Sequence, residues 1–590
     1  MYDLLIKNGV IIDGTGNPKR DGAIAVKDGL IVKIDEKITG SAKRVIDANG
    51  AIIAPGFIDI HTHYDGQATW DDALEPSSCH GVTTVVMGNC GVGFAPLKRG
   101  TENALIELME GVEDIPGTAL HEGIDFTWET FPEYLDALDS KQWSMDVATQ
   151  VPHGALRVFI MGERGINNEP ANENDVKAMA KSATEAMEAG ALGFSSSRIL
   201  GHMSLSGQPV PGTFAHEDEL FAIAKAMKPF GTVFEVVPGG STGRGGLGPP
   251  EGWEEAGWQE EILNQELIWM NRLSVDCKLP VTFFLIEYLE NPNAWREAFS
   301  FTSKANSHGA RLYPQVGTRP AGAMLSWQTY HPFIRRPTYL KIADLPWPQR
   351  YRELCKPQIR AAILAEKDLS SLSHITNDNL HKLIQMYPDR VFILDSPVNY
   401  EQPTEQSIAG LAKSTGQSIE ALFYDNLMKN EGCSVLILLV NYLGGNSDSF
   451  YTMLSDPNSV IGLADAGAHC RFICDASCTT WLLTHWTRDR VAKQLPLEYA
   501  VKKHTSDCAE LYGLSDRGTL EIGKKADLNV IDFNNLTIDQ PYLVHDLPAG
   551  GARYLQKAHG YIATIVNGTV TREQDEDTGE RPGRLVRYRR

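Results

Sequence analysis

Two histidines stand at the end of an apolar run near the start of the chain. The segment APGFIDIHTHYDG, residues 54–66, places His61 and His63 two positions apart. Side chains two apart on a strand point to the same face, so both imidazoles could bind one metal ion. Neutral imidazole is a good ligand for zinc and for other divalent metals. The alternative is a pair of hydrogen-bonded histidines in a core.

Two more reactive groups follow apolar runs. Cys90 follows TTVVMG, where a thiolate would be a strong zinc ligand. An inert buried thiol is one alternative, and a nucleophile is another, although the sequence around Cys90 lacks the second glycine of a G-x-C-x-G elbow. Asp465, in SVIGLADAGAHC, could take a proton from water and pass it to a leaving amine, with His469 four residues on. Its alternative role is a helix N-cap.

Strands that alternate with helices would position these groups. Between about residues 55 and 510, runs such as TVFEVV, VTFFLIE and RVFILD each precede a helical stretch. About eight such units predict a parallel (β/α)8 barrel, with a doubly wound open sheet as the alternative. Barrels carry their chemistry on loops after the strands, and the early HxH and late Asp match the first and eighth strands. The fold class is therefore predicted to be α/β.

Both chain ends predict a second, smaller domain. Short β-branched runs alternate with NG and DG turns before residue 54, and similar runs return at ADLNVIDF and YIATIVNGTVT. Long segments rich in Gly, Pro or Arg within the barrel are typical of lids. The predicted boundaries are a β-sandwich at 1–55 and 515–571, a barrel at 56–514, lids near 238–258 and 317–347, and a charged surface arm at 572–590.

Composition and charge exclude several classes of partner. The 590 residues include 75 acidic and 54 basic side chains, and the net charge of −21 repels phosphate backbones and anionic membranes. We therefore expect no nucleic acid or membrane partner, while a homo-oligomer is compatible with the sequence. Nine cysteines without a CxxC pair, and no apolar run long enough for a bilayer, predict a cytoplasmic protein with reduced thiols.

These motifs together resemble the amidohydrolase superfamily and, within it, the D-aminoacylase or N-acyl-D-amino-acid deacylase family. The resemblance is carried by PGFIDIHTHYD, GNCG, PHGALR, GALGFSSS, LADAGAH and DRGTLEIGKKADLNVIDF, which span nearly the whole chain in family order. It implies a barrel with a β-sandwich and a centre of one or two zinc ions, or of another divalent metal. It also implies His61, His63 and Cys90 as ligands, with Asp465 as a further ligand and general acid/base.

The chain departs from this family at two strands. The family normally supplies one histidine each from the fourth and fifth strands, whereas the corresponding runs TVFEVV and VTFFLIEY carry Glu235 and Glu287. A buried carboxylate without a partner is costly, so we predict that both ligate the metal. A buried salt bridge or a substrate contact is the alternative. TVFEVV also lacks the carboxylated lysine of hydantoinase-like relatives, which weakens the case for a cyclic-amide substrate.

Three further residues are predicted to lie near the substrate. His153, in VPHGAL at the predicted third strand, belongs either to the pocket or to the core. Tyr313 and Arg319, on and after the predicted sixth strand RLYPQV, would contact an acidic or amide substrate, or would only pack in a loop.

The sequence thus predicts a metal-dependent hydrolase of a small-molecule linear amide, such as an N-acyl amino acid. The alternatives are a cyclic-amide hydrolase, a non-catalytic barrel that has lost part of its metal site, and a hydrolase that uses Cys90 as nucleophile.

Overall fold

The structure, a computed structural model, describes residues 1–241, 262–289, 291–370 and 376–588, with the backbone alone at 376–379. None of the described helices is long and apolar enough to cross a bilayer. The lid predicted near 238–258 lies almost entirely outside the described residues.

The secondary structure alternates between strands and helices over most of the chain. The strands are β1 (Tyr2–Ile11), β2 (Arg20–Lys27), β3 (Leu30–Asp35), β4 (Ala42–Asp47), β5 (Ile52–Pro55), β6 (Phe57–Asp59), β7 (Val82–Met87), β8 (Asp146–Pro152), β9 (Gly193–Ser197), β10 (Val233–Val237), β11 (Val281–Phe284), β12 (Leu312–Val316), β13 (Gly322–Leu325), β14 (Val391–Ile393), β15 (Leu436–Leu439), β16 (Val460–Ile461), β17 (Leu528–Ile531), β18 (Thr537–Ile538), β19 (Tyr542–Leu547), β20 (Gly551–Leu555), β21 (Ala558–His559), β22 (Tyr561–Val566), β23 (Thr569–Glu573) and β24 (Glu576–Asp577). The helices are α1 (Glu102–Glu113), α2 (Gly117–Gly123), α3 (Phe131–Asp139), α4 (His153–Met161), α5 (Glu163–Ile166), α6 (Glu173–Ala189), α7 (Glu217–Met227), α8 (Ile262–Cys277), α9 (Ala294–Ser307), α10 (Pro337–Leu340), α11 (Trp347–Leu354), α12 (Pro357–Ala365), α13 (Thr376–Met386), α14 (Ile408–Thr415), α15 (Ile419–Leu427), α16 (Lys429–Gly432), α17 (Asp448–Ser455), α18 (Cys478–Thr484), α19 (Leu497–Lys503) and α20 (Ser506–Leu511).

A parallel barrel forms the centre of the molecule. Its eight described strands follow the order β6, β7, β8, β9, β10, β11, β12, β16, and each is parallel to the next. Thr62 and Ala466, just beyond β6 and β16, form a parallel bridge that nearly closes the ring. Strands such as β7 and β8 are buried along their whole length, as expected where helices cover a parallel sheet. The predicted α/β barrel is confirmed.

The fourth barrel strand, β9, was not expected to be a strand. Its sequence GFSSS lacks an apolar run, yet its buried hydroxyls have partners: Ser196 Oγ lies 2.9 Å from His153 Nδ1, and Ser197 Oγ lies 2.9 Å from His202 Nδ1. Because β9 is the fourth strand, TVFEVV is the fifth strand, VTFFLIE the sixth and RLYPQV the seventh. Each therefore lies one place later than predicted.

The segment between β12 and β16 is a subdomain that extends beyond the lid predicted at 317–347. It contains the antiparallel sheet β13–β15–β14, the helices from α10 to α16, and a core of its own that includes Trp327, Phe333 and Tyr424. The run RVFILD supplies β14 of this small sheet, so the expectation that it forms a barrel strand is wrong. A short apolar run looks the same in either setting.

The two chain ends form one nine-stranded sheet. Its order is β24-β23-β22-β17-β5-β1-β2-β3, with β4 beside β1. β17 pairs antiparallel with β5 from the N-terminal part and with β22 from the C-terminal part. Apolar side chains from both ends, including Ile6, Ile24, Leu528 and Ile565, pack into one core. The predicted β domain made by both ends is therefore present.

The residues after 572 differ from the predicted surface arm. β23 and β24 extend the sheet, and residues 583–588 then run along the amino end of the barrel. Val147 of β8 donates to Arg584 O at 3.1 Å and accepts from Val586 at 2.8 Å, and Tyr588 donates to Gly190 O at 2.8 Å. This segment pairs with β8 at Val147, ahead of Gln150, where the pairing of β8 with β9 begins.

Candidate metal centre

His61 and His63 lie side by side just after β6. Their ring centroids are 5.5 Å apart, and each side chain is 1% exposed. Thr62 between them turns the other way, and its hydroxyl donates to Val86 O at 2.9 Å. His61 Nδ1 lies 2.8 Å from Gln315 Oε1, so Nδ1 carries the ring proton and Nε2 keeps a lone pair. The structure therefore brings both imidazoles to one point, as the HxH spacing predicts.

Cys90 reaches the same point from the loop after β7. The backbone turns sharply here: Gly88 has a φ of 80°, and Cys90 itself has a φ of 54°. A Cβ at position 88 would lie 2.4 Å from Gln150 O, so the turn requires glycine. Cys90 Sγ lies 3.2 Å from His61 Nε2. Ligand atoms of His61, His63 and Cys90 all lie within 4.8 Å of one another, which suits a single metal ion.

Asp465 approaches from the loop after β16. Its Oδ1 lies 3.4 Å from His61 Nε2 and 3.8 Å from His63 Nε2. The hydrogen bond from His63 N–H to Ala466 O, at 2.8 Å, holds the two loops together. Burial raises the pKa of Asp465 to about 7. The loops after the first and last barrel strands thus meet, as predicted.

The two predicted glutamates have different surroundings. Glu235 of β10 is fully buried, and its Oε2 accepts from Cys90 N–H at 3.2 Å, while its Oε1 has no hydrogen-bond partner among the described residues. Burial raises its pKa to about 8. Glu287, beyond β11, is half-buried and accepts from Ser449 Oγ at 2.9 Å. The described contacts do not connect Glu287 with the cluster, so its ligation stays a prediction.

One buried carboxylate of the cluster was missed in the sequence. Glu113, the last residue of α1, is 1% exposed, with Oε1 3.5 Å from His63 Nδ1 and Oε2 3.4 Å from His469 Nε2. The sequence carries one signal for it: Glu113 and Asp114 are adjacent acids at the end of a predicted helix, where the helix dipole disfavours negative charge. An acidic residue at this unfavourable end of a helix is a signal that could have identified Glu113 as a candidate site residue.

His153 is engaged in a separate buried network. Its Nε2 lies 2.7 Å from Glu219 Oε1, and Arg157 also donates to that carboxylate. Its Nδ1 meets Ser196, so both ring nitrogens are occupied within the protein. Among the described contacts, His153 therefore has the core position that the sequence left open.

Arg319 and Tyr313 make no described contact with the cluster. The Arg319 guanidinium lies 2.9 Å from Asp475 Oδ1 and 3.7 Å from the centroid of the Tyr400 ring, and both contacts are buried. Tyr313 packs with an apolar group that includes Val233 and Val460. These two residues begin β10 and β16, and Tyr313 is the second residue of β12, so Tyr313 lies toward the amino ends of these strands. Substrate contact by Tyr313 and Arg319 stays a prediction without a supporting contact.

The cluster is electrostatically incomplete without a cation. Burial lowers the pKa of His61 to about 4, which keeps its ring neutral. Burial and the nearby Glu235 raise the pKa of Cys90 well above its usual value. Among the described residues, no Lys or Arg forms an ion pair with Glu113, Glu235 or Asp465. Buried acids without a cation are costly, and a divalent metal would stabilise their charged forms. The residues present therefore fit a metal centre.

The fold and this site define the class: an α/β-barrel hydrolase with a candidate metal centre at the carboxyl ends of its strands. The chain belongs to the amidohydrolase family, whose sequence model matches residues 44–310 and 437–572. The unmatched interval, 311–436, contains most of the subdomain inserted between β12 and β16. The protein is thus an amidohydrolase, and the resemblance that its motifs indicated is confirmed.

Similar proteins include several deacylases. An N-acyl-D-aspartate deacylase of Alcaligenes xylosoxydans xylosoxydans is 25% identical over 592 residues, which cover 99% of this chain and 95% of that protein. The D-aminoacylase of the same organism is 30% identical over 233 residues, covering 40% of this chain and 43% of the relative. The solved N-acyl-D-glutamate deacylase of Bordetella bronchiseptica, complexed with zinc and a phosphonate inhibitor, has a TM-score of 0.63 at 21% identity over 99% of both chains.

Proposed function

We propose that the protein is a metal-dependent deacylase that hydrolyses the amide bond of an N-acyl amino acid, or of a similar linear acylated amine. One observation carries the proposal: imidazole, thiol and carboxylate side chains converge in a buried cluster without a basic partner among the described residues. Membership of the amidohydrolase family and the activities of the similar deacylases support the same chemistry.

We propose His61, His63 and Cys90 as metal ligands, with Asp465 and Glu235 beside them. Two imidazoles and a thiolate form a donor set that suits zinc, and the similar deacylase from Bordetella was solved with zinc. A second ion, or another divalent metal, is compatible with the extra carboxylates. When bound, a divalent cation supplies Lewis acidity for an amide carbonyl and lowers the pKa of water.

Asp465 is proposed as the general acid/base. Its Oδ1 lies 3.4 Å from His61 Nε2, beside the proposed ligands, and a carboxylate in such a position can take a proton from water and release it to a leaving group. Asp465 removes a proton from water as the oxygen bonds to the acyl carbon, and the same proton passes to the departing nitrogen when the carbon–nitrogen bond breaks. The products are a carboxylic acid and an amine, which become a carboxylate and an ammonium group at neutral pH, so the atoms of one water are fully accounted for.

The surroundings of Cys90 favour a ligand over a nucleophile. Reactive thiolates occupy electropositive surroundings that lower the thiol pKa. Around Cys90, burial and the carboxylates of Glu235, Glu113 and Asp465 all act in the opposite direction. A cation is the partner that would stabilise the thiolate here, so the thiol fits metal binding.

The metal content of the purified protein tests this proposal. We expect zinc or another divalent metal in the wild type, and hydrolysis of N-acyl-D-amino acids that a chelator abolishes. His61→Ala should lose both metal and activity, because His61 lies within reach of Cys90 and Asp465. The exposed His308 provides the matched control, so His308→Ala should retain both. Activity that survives chelation but not thiol alkylation would support a cysteine nucleophile and overturn the proposal.

A further inference from the structure

Glu113 is a buried carboxylate held between two histidines. It ends α1, and its two oxygens contact different rings: Oε1 faces His63 Nδ1 at 3.5 Å, and Oε2 faces His469 Nε2 at 3.4 Å. Both His63 Nδ1 and Glu113 Oε1 lack a hydrogen-bond partner among the described residues. The mechanism proposed above does not use Glu113, yet its burial in this position requires an explanation.

The end of α1 is fixed to the loop that follows Asp465. The backbone N–H of His469 donates to Glu113 O, and the N–H of Arg471 donates to Asp114 Oδ2 at 3.3 Å. Asp114 also accepts from the hydroxyl of Tyr330, in the inserted subdomain, at 2.9 Å. These contacts hold the helix end on two sides, so the Glu113 carboxylate stays between the two rings.

The two nitrogens of His63 face different groups. Nε2 lies 3.8 Å from Asp465 Oδ1 on the side of the candidate ligands, and Nδ1 faces Glu113. A histidine that binds a metal through one nitrogen usually donates the other N–H to a carboxylate or carbonyl. That hydrogen bond fixes the tautomer and the ring orientation. His61 meets this requirement through Gln315, and Glu113 is the corresponding group for His63.

We propose that Glu113 is a positioning residue of the metal centre, an assignment that rests on the proposed function. Across the 3.5 Å contact, Oε1 would accept the Nδ1–H of His63 when the two groups close to hydrogen-bond distance, which would leave the Nε2 lone pair for the metal. Across the 3.4 Å contact, Oε2 would accept the Nε2–H of His469 in the same way. One side chain from a helix thereby orients one group after the first strand and one after the eighth.

Substitution of Glu113 tests the assignment through metal affinity. Glu113→Gln keeps the size of the side chain but loses the charge and one acceptor oxygen. Partners of metal ligands typically contribute about 10–100-fold to metal affinity, so we expect weaker binding of zinc by that factor, measured by competition with a chelator. The control is Glu107→Gln on the exposed face of the same helix, which should bind zinc like the wild type.

A second readout separates positioning from a structural role. In cobalt-substituted protein, Glu113→Gln should change the visible ligand-field bands while the thiolate-to-metal band of Cys90 remains. The thermal unfolding of the metal-free variant should stay close to that of the metal-free wild type. Equal zinc affinity and identical cobalt spectra in Glu113→Gln and wild type would overturn the assignment but leave the proposed function intact. A wild type that binds no metal would overturn both.

Discussion

At the scale of single residues, several members of the candidate centre have backbone conformations that residues other than glycine rarely adopt. Cys90, Asp465 and His469 all have positive φ values, of 54°, 47° and 50°, and none of the three is glycine. Such conformations cost about 1–3 kcal/mol each and persist where the surrounding structure enforces them. Their grouping around one cluster of metal-binding side chains is what a functional site leads us to expect.

Buried charge serves stability rather than chemistry at Glu219. Burial raises the pKa of this carboxyl, but hydrogen bonds from His153 and the charge of Arg157 outweigh burial and lower it to about 2. A lowered pKa means that the ionised form stabilises the fold above the unfolded pKa of about 4.5, and that this contribution is lost as the pH falls from 4.5 toward 2.

We therefore expect Glu219→Gln to lower the free energy of unfolding by about 3–5 kcal/mol at pH 7, because Arg157 loses its buried partner. The difference from the wild type should shrink as the pH falls below 4.5. Denaturant unfolding of both proteins at pH 7 and pH 3.5 measures this difference in the free energy of unfolding. A difference that is constant across this range would contradict the ion-pair role.

At the scale of elements, the residues at the ends of apolar strands could be predicted from the sequence, whereas the position of helix α1 and the existence of strand β9 could not. His61, Cys90 and Asp465 could be placed because each follows an apolar run, and parallel strands bring their carboxyl ends to one edge. Glu113 could not be placed, since its approach depends on how α1 packs after a long loop. The serines of β9 concealed a barrel strand, because their hydroxyl partners lie outside the strand: His153 comes from the start of α4, and His202 follows in the next loop.

The C-terminal segment offers a test of how the barrel is completed. Removal of residues 582–590 would delete five backbone hydrogen bonds, at about 1 kcal/mol each, and the burial of Leu585, at about 2 kcal/mol. We expect a loss of about 7 kcal/mol, seen as a clearly lower thermal unfolding temperature. Removal of residues 589–590 alone is the control. Equal unfolding temperatures for both truncations would show that 583–588 add nothing to the barrel.

At the scale of the whole molecule, one buried group of charges joins the barrel, the β domain and the C-terminal segment. Asp146 begins β8 and lies 2.6 Å from Arg517, and Lys525 also contacts it. Both bases approach Asp527 as well, just before β17, and the N–H of Arg584 donates to Asp146 Oδ1 at 2.9 Å. Three parts of the chain that are far apart in sequence, at residues 146, 517–525 and 584, thus meet at one carboxylate.

Removal of that charge should weaken the association of the domains. We expect Asp146→Asn to cost about 3–5 kcal/mol, because two buried bases lose a partner. The exposed Asp139, which pairs with Arg587 at 3.6 Å, provides the control, and Asp139→Asn should cost less than about 1 kcal/mol. Thermal unfolding of the two variants and the wild type measures the loss of stability in each variant. Equal losses would refute the central role of Asp146.

The inserted subdomain enters and leaves the barrel at neighbouring positions. The N–H of Val440 donates to Ala321 O at 3.0 Å, and β13 and β15 pair from Gly322 with Leu439 onward. A unit whose two ends are adjacent can be lengthened, shortened or exchanged without separating the strands on either side. The length and content of this insert can therefore change without displacing β12 or β16, so the barrel does not depend on it.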